Sequence, residues 1–255
     1  MGNPLLDRWN AGTSAIGLWA TSRDSLVAEA LASVGPDYVC VDLQHGASDL
    51  GNLVEMLQAV RSGGSVPVVR VPENSQTMIT KALDAGALGI IVPLVESGEE
   101  ARRAVAACRY PPRGHRSMGP FRASLAAAVE GMTDLEAVAC VLMIETRRGL
   151  DNVEEIAATE GVDALYVGPA DLSLALGLPP GSVDHPTFRA ALGTIREAAT
   201  RSTVVVGIHT YDGDAAAGYV AAGFGMVTAG VDLRILREVG RRHVGAAQAG
   251  REGPA

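Results

Sequence analysis

Two acids, a histidine and an arginine stand where short apolar runs of this chain give way to polar residues. Glu145 closes VLMIE, Asp171 follows YVGPA, His45 follows YVCVDLQ, and Arg70 lies inside PVVRVP. Glu145 and Asp171 offer two hard oxygen ligands, a set that suits Mg²⁺ or Mn²⁺ completed by water and substrate. The competing account pairs Glu145 with an arginine and uses Asp171 to cap the helix that starts in ADLS. His45 comes three residues after Asp42, so a carboxylate is close enough in sequence to orient an imidazole as general acid or base. A loop histidine with no catalytic duty is the alternative. Arg70, in an apolar run, needs an anion to offset its desolvation. That anion is either a substrate carboxylate or developing enolate oxygen, or one of the acids in a structural ion pair.

What is missing narrows the chemistry. Among 21 basic residues Lys81 is the sole lysine, and TMITKALDAG puts it on a helix, away from any strand end. Schiff-base activation of a carbonyl needs a positioned lysine amine, so activation of a keto acid here falls to a metal. No Walker-type lysine motif and no G-x-G-x-x-G after a strand offers a phosphate cradle. Trp19, Gln44, His209 and Asp232 also fall near strand ends; His209 reads either as a satisfied strand-end histidine or as a catalyst. His115, with Arg113, Arg116 and Arg122, meets an anionic substrate or else faces solvent or another subunit. Cys40, Cys108 and Cys140 are odd in number and widely spaced in apolar runs, which suggests reduced core thiols.

The elements that must position these residues are legible as eight short apolar runs, at 15–19, 38–43, 67–71, 88–93, 141–145, 164–169, 204–208 and 225–230. Each is nearly continuous in hydrophobicity, as expected for parallel strands buried on both faces. Helical patterns such as SLVAEALASVG and GEEARRAVAACRY alternate with them, and several close with Gly, the expected C-terminal stop. Eight βα units in 255 residues point to one (β/α)8 barrel domain spanning 1–255, with the active site at the C-terminal ends of the strands. Between the fourth and fifth strands lies a long Arg- and Pro-containing loop, 109–131, and long loops are often functional. A last helix in VDLRILREVGRRHVGAAQAG precedes a frayed terminus.

Net charge −8 and a pI near 5.1 argue against a nucleic-acid partner. No stretch approaches a membrane span, and MGNPLLDRWN lacks the layout of a secretory signal, so a cytoplasmic location is expected. The opening Met-Gly lacks the Ser or Thr that myristoylation wants at position six, where Leu6 stands.

Together, VDLQHG, PVVRVP, LDAGALGIIVP, RYPPRGHRSMGP and MIETRRGLDNVEEIAATEGVDALYVGPADLSLALG resemble the HpcH/HpaI family of metal-dependent pyruvate aldolases, the 4-hydroxy-2-oxoheptanedioate aldolase group of the phosphoenolpyruvate/pyruvate barrel superfamily. The resemblance spans nearly the whole chain. It implies that Glu145 and Asp171 hold Mg²⁺, Mn²⁺ or Co²⁺. It further implies that His45, supported by Asp42, is the acid/base, and that Arg70, Trp19 and the backbone at Gly168, Pro169 and Ala170 meet the substrate. The implied reaction is reversible cleavage of a 4-hydroxy-2-oxo acid into pyruvate and an aldehyde through a pyruvate enolate at the metal. The implied assembly is a homohexamer, a trimer of dimers, with the last helix exchanged between subunits. Many members carry Glu before the histidine and Gln two residues before the metal Glu, where this chain has Gln44 and Met143. Met143 removes a polar substrate contact. That keeps open a related metal-enolate enzyme, an oxaloacetate decarboxylase or a specialised carbon–carbon bond-forming enzyme, and more remotely a non-catalytic barrel.

Overall fold

The computed structural model describes residues 2–125 and 131–251. Part of the Arg-rich loop, 126–130, and the frayed terminus expected beyond 251 lie outside the described residues. The eight apolar runs are eight parallel strands: β1 Ala15–Ala20, β2 Tyr38–Asp42, β3 Val66–Arg70, β4 Gly89–Val92, β5 Ala139–Ile144, β6 Ala164–Val167, β7 Val205–His209 and β8 Met226–Val231. Each pairs with its sequence neighbour and β1 closes on β8, giving a closed barrel. Strands β2 to β6 are buried along their whole lengths, which is why their sequences do not alternate.

Side chains fill the interior. Trp19, Tyr38, Tyr166, Met143 and Met226 form a packed inner cluster. The hydroxyls of Tyr38 and Tyr166 both reach Thr228 Oγ1, at 3.0 and 2.5 Å, which satisfies three buried polar groups in one knot. Gly17 makes this possible, because a Cβ there would lie 2.2 Å from the Tyr38 ring.

A helix that the apolar pattern did not reveal, Pro4–Asn10, covers the N-terminal end of the barrel. Asn3 caps it by accepting from the Leu5 amide at 3.0 Å, while its Nδ2 donates to the carbonyls of Leu88 and Ala137. Leu5 completes the inner cluster from below.

The Arg-rich loop belongs to the same end. It follows the helix Gly98–Cys108 and leads into β5, so it is a helix-to-strand connection, opposite the strand ends. Arg116 is buried there, 3.2 Å from Asp84 and over the Tyr110 ring. Arg113 pairs with Glu136, and the Arg122 amide donates to the Asp84 carbonyl. The His115 carbonyl accepts from Gln76 Nε2. Of the readings left open for this segment, contact with an anionic substrate does not fit the cavity of the same chain, which none of its described residues lines; Arg113 and Arg116 instead pair with Glu136 and Asp84.

The last helix, Asp232–Ala249, is tied down only at its start. Asp232, 4% exposed, accepts from the Thr21 amide and hydroxyl and from the Ser22 amide, at 3.0, 2.6 and 2.8 Å. From Leu233 on every described residue is exposed, including Leu236 and Val244. Among the described residues no helix is long and apolar enough to cross a membrane. All three cysteines are buried and free.

Candidate active site

A cavity of about 220 Å³ opens at the C-terminal ends of the strands. It brings together Trp19 from β1, Asp42 and His45 from β2 and its loop, Arg70 from β3, Glu145 after β5, and the Gly168–Asp171 segment after β6, while Gln44, Asp232 and the described residues of the Arg-rich loop do not line it. Thr21, Met143, His209, Tyr211 and Val231 complete the wall.

Strand register sets the cationic side. Asp42 and Arg70 are paired neighbours in β2 and β3. The Arg70 guanidinium grips the carboxylate as a two-pronged fork, Nε to Oδ1 at 2.9 Å and Nη2 to Oδ2 at 2.6 Å. Burial alone would lower the Arg70 pKa, but the hydrogen bonds and charge of Asp42 outweigh it and hold the guanidinium firmly charged. Arg70 also lies over the Trp19 ring, 4.5 Å from its centre. Arg70 thus makes a structural ion pair with Asp42, and the residue also lines the cavity.

Asp42 spends its remaining capacity on the backbone, accepting from the amides of Gln44 at 3.0 Å and His45 at 3.2 Å. The carboxylate therefore shapes the turn that carries His45 and does not bond the imidazole, contrary to the orientation expected from the Asp42–His45 spacing. His45 itself is exposed at the cavity mouth.

The anionic side is built differently. Glu145 is the first residue beyond β5 and is 2% exposed. Its Oε1 accepts from the Leu94 amide at 3.0 Å, while Oε2 is buried without a partner. Leu94 presents that amide from a left-handed conformation, φ 55°, which is rare for a leucine and had no sequence signal. Burial pushes the Glu145 carboxyl up to about 7; the charge of Asp171 adds to this, and the Leu94 amide and Arg70 oppose it. No arginine pairs with Glu145 among the described residues. Asp171 lies in the first turn of the helix Pro169–Ala175 without capping it by a side-chain bond, and it is exposed to the cavity. Gly168 leaves the space beside Glu145, since a Cβ there would come 2.3 Å from Oε2 and 3.0 Å from Met143 Cε.

Among the described residues no cluster of three or more His, Cys, Asp or Glu forms a closed metal cage. A cation here would rest on Glu145 and Asp171 with most positions open, and the orphaned Oε2 beside a side-chain-free Gly168 fits such an occupant. Asp232, bound to the β1 loop, is not part of the site's free chemistry.

Polar groups of opposite charge around a cavity at the strand ends of a closed (β/α)8 barrel define a barrel enzyme. Residues 15–238 match the HpcH/HpaI aldolase/citrate lyase family, and the chain belongs to it. It is 39% identical over 249 residues to a hydroxypyruvate/pyruvate aldolase of Rhizorhabdus wittichii, covering 97% of this chain and 99% of that one. It is 33% identical over 258 residues to the 2-keto-3-deoxy-L-rhamnonate aldolase of Escherichia coli K12, covering 100% and 96%. Its fold overlays a HpcH/HpaI aldolase/citrate lyase family protein of Burkholderia cenocepacia with a TM-score of 0.90 at 34% identity, covering 96% and 99%. The chain is accordingly an enzyme, a carbon–carbon lyase of the aldolase type.

Proposed function

We propose that this enzyme cleaves 4-hydroxy-2-oxo acids reversibly into pyruvate and an aldehyde, with a divalent cation, Mg²⁺, Mn²⁺ or Co²⁺, held by Glu145 and Asp171. The observation that carries the proposal is the buried Glu145 carboxylate, whose Oε2 has no partner, in the wall of a cavity that Asp171 and Arg70 also line. Leaving a carboxylate so buried is costly unless a ligand completes it. When bound, the cation polarises the keto acid and stabilises negative charge at its carbonyl oxygen.

The chain's own groups do the rest. His45, at the mouth, takes the proton of the 4-hydroxyl as the C3–C4 bond breaks and the aldehyde leaves. The bonding pair becomes the enolate of pyruvate, whose oxygen Arg70 Nη1 faces while Asp42 keeps the guanidinium in place. Protonation at C3 then gives pyruvate; in the reverse direction His45 returns a proton to the aldehyde oxygen. The backbone at Gly168, Pro169 and Ala170 borders the cavity beside Glu145 and is assigned the substrate carboxylate, and the flat ring of Trp19 backs Arg70.

The chain acts as one barrel domain. The exposed apolar residues of the last helix, Leu233, Leu236 and Val244, support a homohexamer in which that helix is exchanged between subunits. Three free buried thiols accord with a cytoplasmic enzyme.

The test supplies pyruvate with a panel of aldehydes, and oxaloacetate alone, reading products by mass with and without EDTA. Metal-dependent formation of 4-hydroxy-2-oxo acids is expected. Full activity in EDTA, or oxaloacetate as the only substrate accepted, would overturn the reading.

A further inference from the structure

The wall of the cavity made by β1 and β7 carries two buried nitrogens for which the proposed reaction has no use. His209, the last residue of β7, stands edge to face with Trp19, with ring centres 4.7 Å apart. Its Nδ1 and Trp19 Nε1 are each buried without a hydrogen-bond partner. Tyr211 also packs against His209, 4.9 Å between centres, and Arg234 lies over Tyr211 at 4.8 Å. The imidazole thus has edge-to-face contacts with two aromatic rings. A strand-end histidine that served only to pack would have its nitrogens bonded. Here two touching rings that both line the cavity each keep a buried nitrogen without a partner.

The chemistry of the pair selects the group that completes it. The indole nitrogen can only donate, and the neutral imidazole nitrogen donates or accepts according to tautomer. Burial and the nearby Arg70 charge push the His209 pKa down to about 4, with Asp42 opposing, so the ring is neutral in working conditions and offers no cation to a carboxylate. A methyl group would satisfy neither nitrogen. A hydroxyl donates and accepts at once.

Resting on the aldolase reading above, we infer that His209 and Trp19 form a subsite for a substrate hydroxyl, making His209 a specificity-determining residue for hydroxylated substrates. The hydroxyl has two possible sources, the carbon next to the aldehyde or C3 of the keto acid. A buried site that hydrogen-bonds a substrate hydroxyl rejects the analogue lacking it strongly, because its own polar groups are left unpaired.

The experiment measures kcat/KM in two arms, glycolaldehyde against acetaldehyde with pyruvate fixed, and hydroxypyruvate against pyruvate with acetaldehyde fixed. Each hydroxyl-to-deoxy ratio is compared among the natural enzyme, His209→Phe and His209→Asn. Phenylalanine keeps both edge contacts but no nitrogen, while asparagine is smaller and keeps a polar group near Nδ1. In one arm, which identifies the source of the hydroxyl, the ratio should fall at least tenfold in His209→Phe and stay within about threefold in His209→Asn. Ratios within twofold of the natural enzyme in both arms for His209→Phe, or an equal fall in His209→Asn, would overturn the inference. If the natural enzyme formed no aldol at all, the aldolase reading would fail instead.

Discussion

Replacing Glu145 by glutamine should make the metal-free protein more stable at pH 8, although it removes a proposed ligand. The buried carboxyl titrates near 7 in place of its ordinary 4.5. Such a displacement is worth roughly 3 kcal/mol between the protonated and ionised forms. Below about pH 4.5 the group is protonated whether the chain is folded or not, and it costs nothing. Between 4.5 and 7 the unfolded chain ionises first, and above about 7 the full penalty falls on the folded state. Glutamine is neutral throughout and carries no such penalty. In metal-free urea denaturation, Glu145→Gln should therefore gain up to ~3 kcal/mol at pH 8 but under ~1 kcal/mol at pH 5. Saturating Mg²⁺ should close the gap by stabilising the natural protein, by about 2.7 kcal/mol at a hundredfold excess over Kd. A gain equal at both pH values, or absent at pH 8, would refute the reasoning that Glu145 is held ionised against its surroundings for a cation.

Other perturbations probe the rest of the site. Gly168→Ala should leave the fold intact, because φ there is −94°, yet weaken Mn²⁺ binding at least tenfold by displacing Oε2; calorimetric titration reads it. Asp42→Asn should cost about 3–5 kcal/mol in denaturation, since it strands a buried guanidinium. It should also lower kcat more than it raises KM, because Arg70 loses its aim at the developing charge. His45→Gln should cut aldol cleavage by about 10²–10⁴-fold while metal binding stays within twofold, as steady-state kinetics and titration would show. Removing the last helix after Asp232 should leave lower-order species in light scattering, because Leu236 and Val244 no longer have an exchanged helix to present.

The barrel was legible because parallel strands buried on both faces cannot hide: YVCVD, VPVVR and ACVLMI are apolar at nearly every position. Glu145 was readable as a strand-end acid for the same reason, since a carboxylate ending an apolar run must leave the ladder. The partner of Asp42 was not readable. His45 is three residues away in sequence and Arg70 twenty-eight, but the β2–β3 register sets Arg70 beside Asp42 and turns the near neighbour into a backbone contact. The left-handed Leu94 amide also depends on tertiary placement, as does the seven-residue helix at the N-terminus, whose pattern is too short to register. The Arg-rich loop could have been placed from chain order alone: a segment that follows a helix and precedes a strand sits at the end of a barrel opposite the site. His209 looked like a packed strand-end residue, and only the free Nδ1 beside the cavity sets it apart.

A cation held by Glu145 and Asp171 would make the methyl protons of pyruvate removable. Proton NMR of pyruvate in D₂O tests it without any aldehyde. Exchange of the methyl signal should require Mg²⁺ or Mn²⁺, stop on adding EDTA, return on restoring the metal, and be lost in Glu145→Ala. Exchange that proceeds unchanged in EDTA, or in Glu145→Ala, would contradict the account.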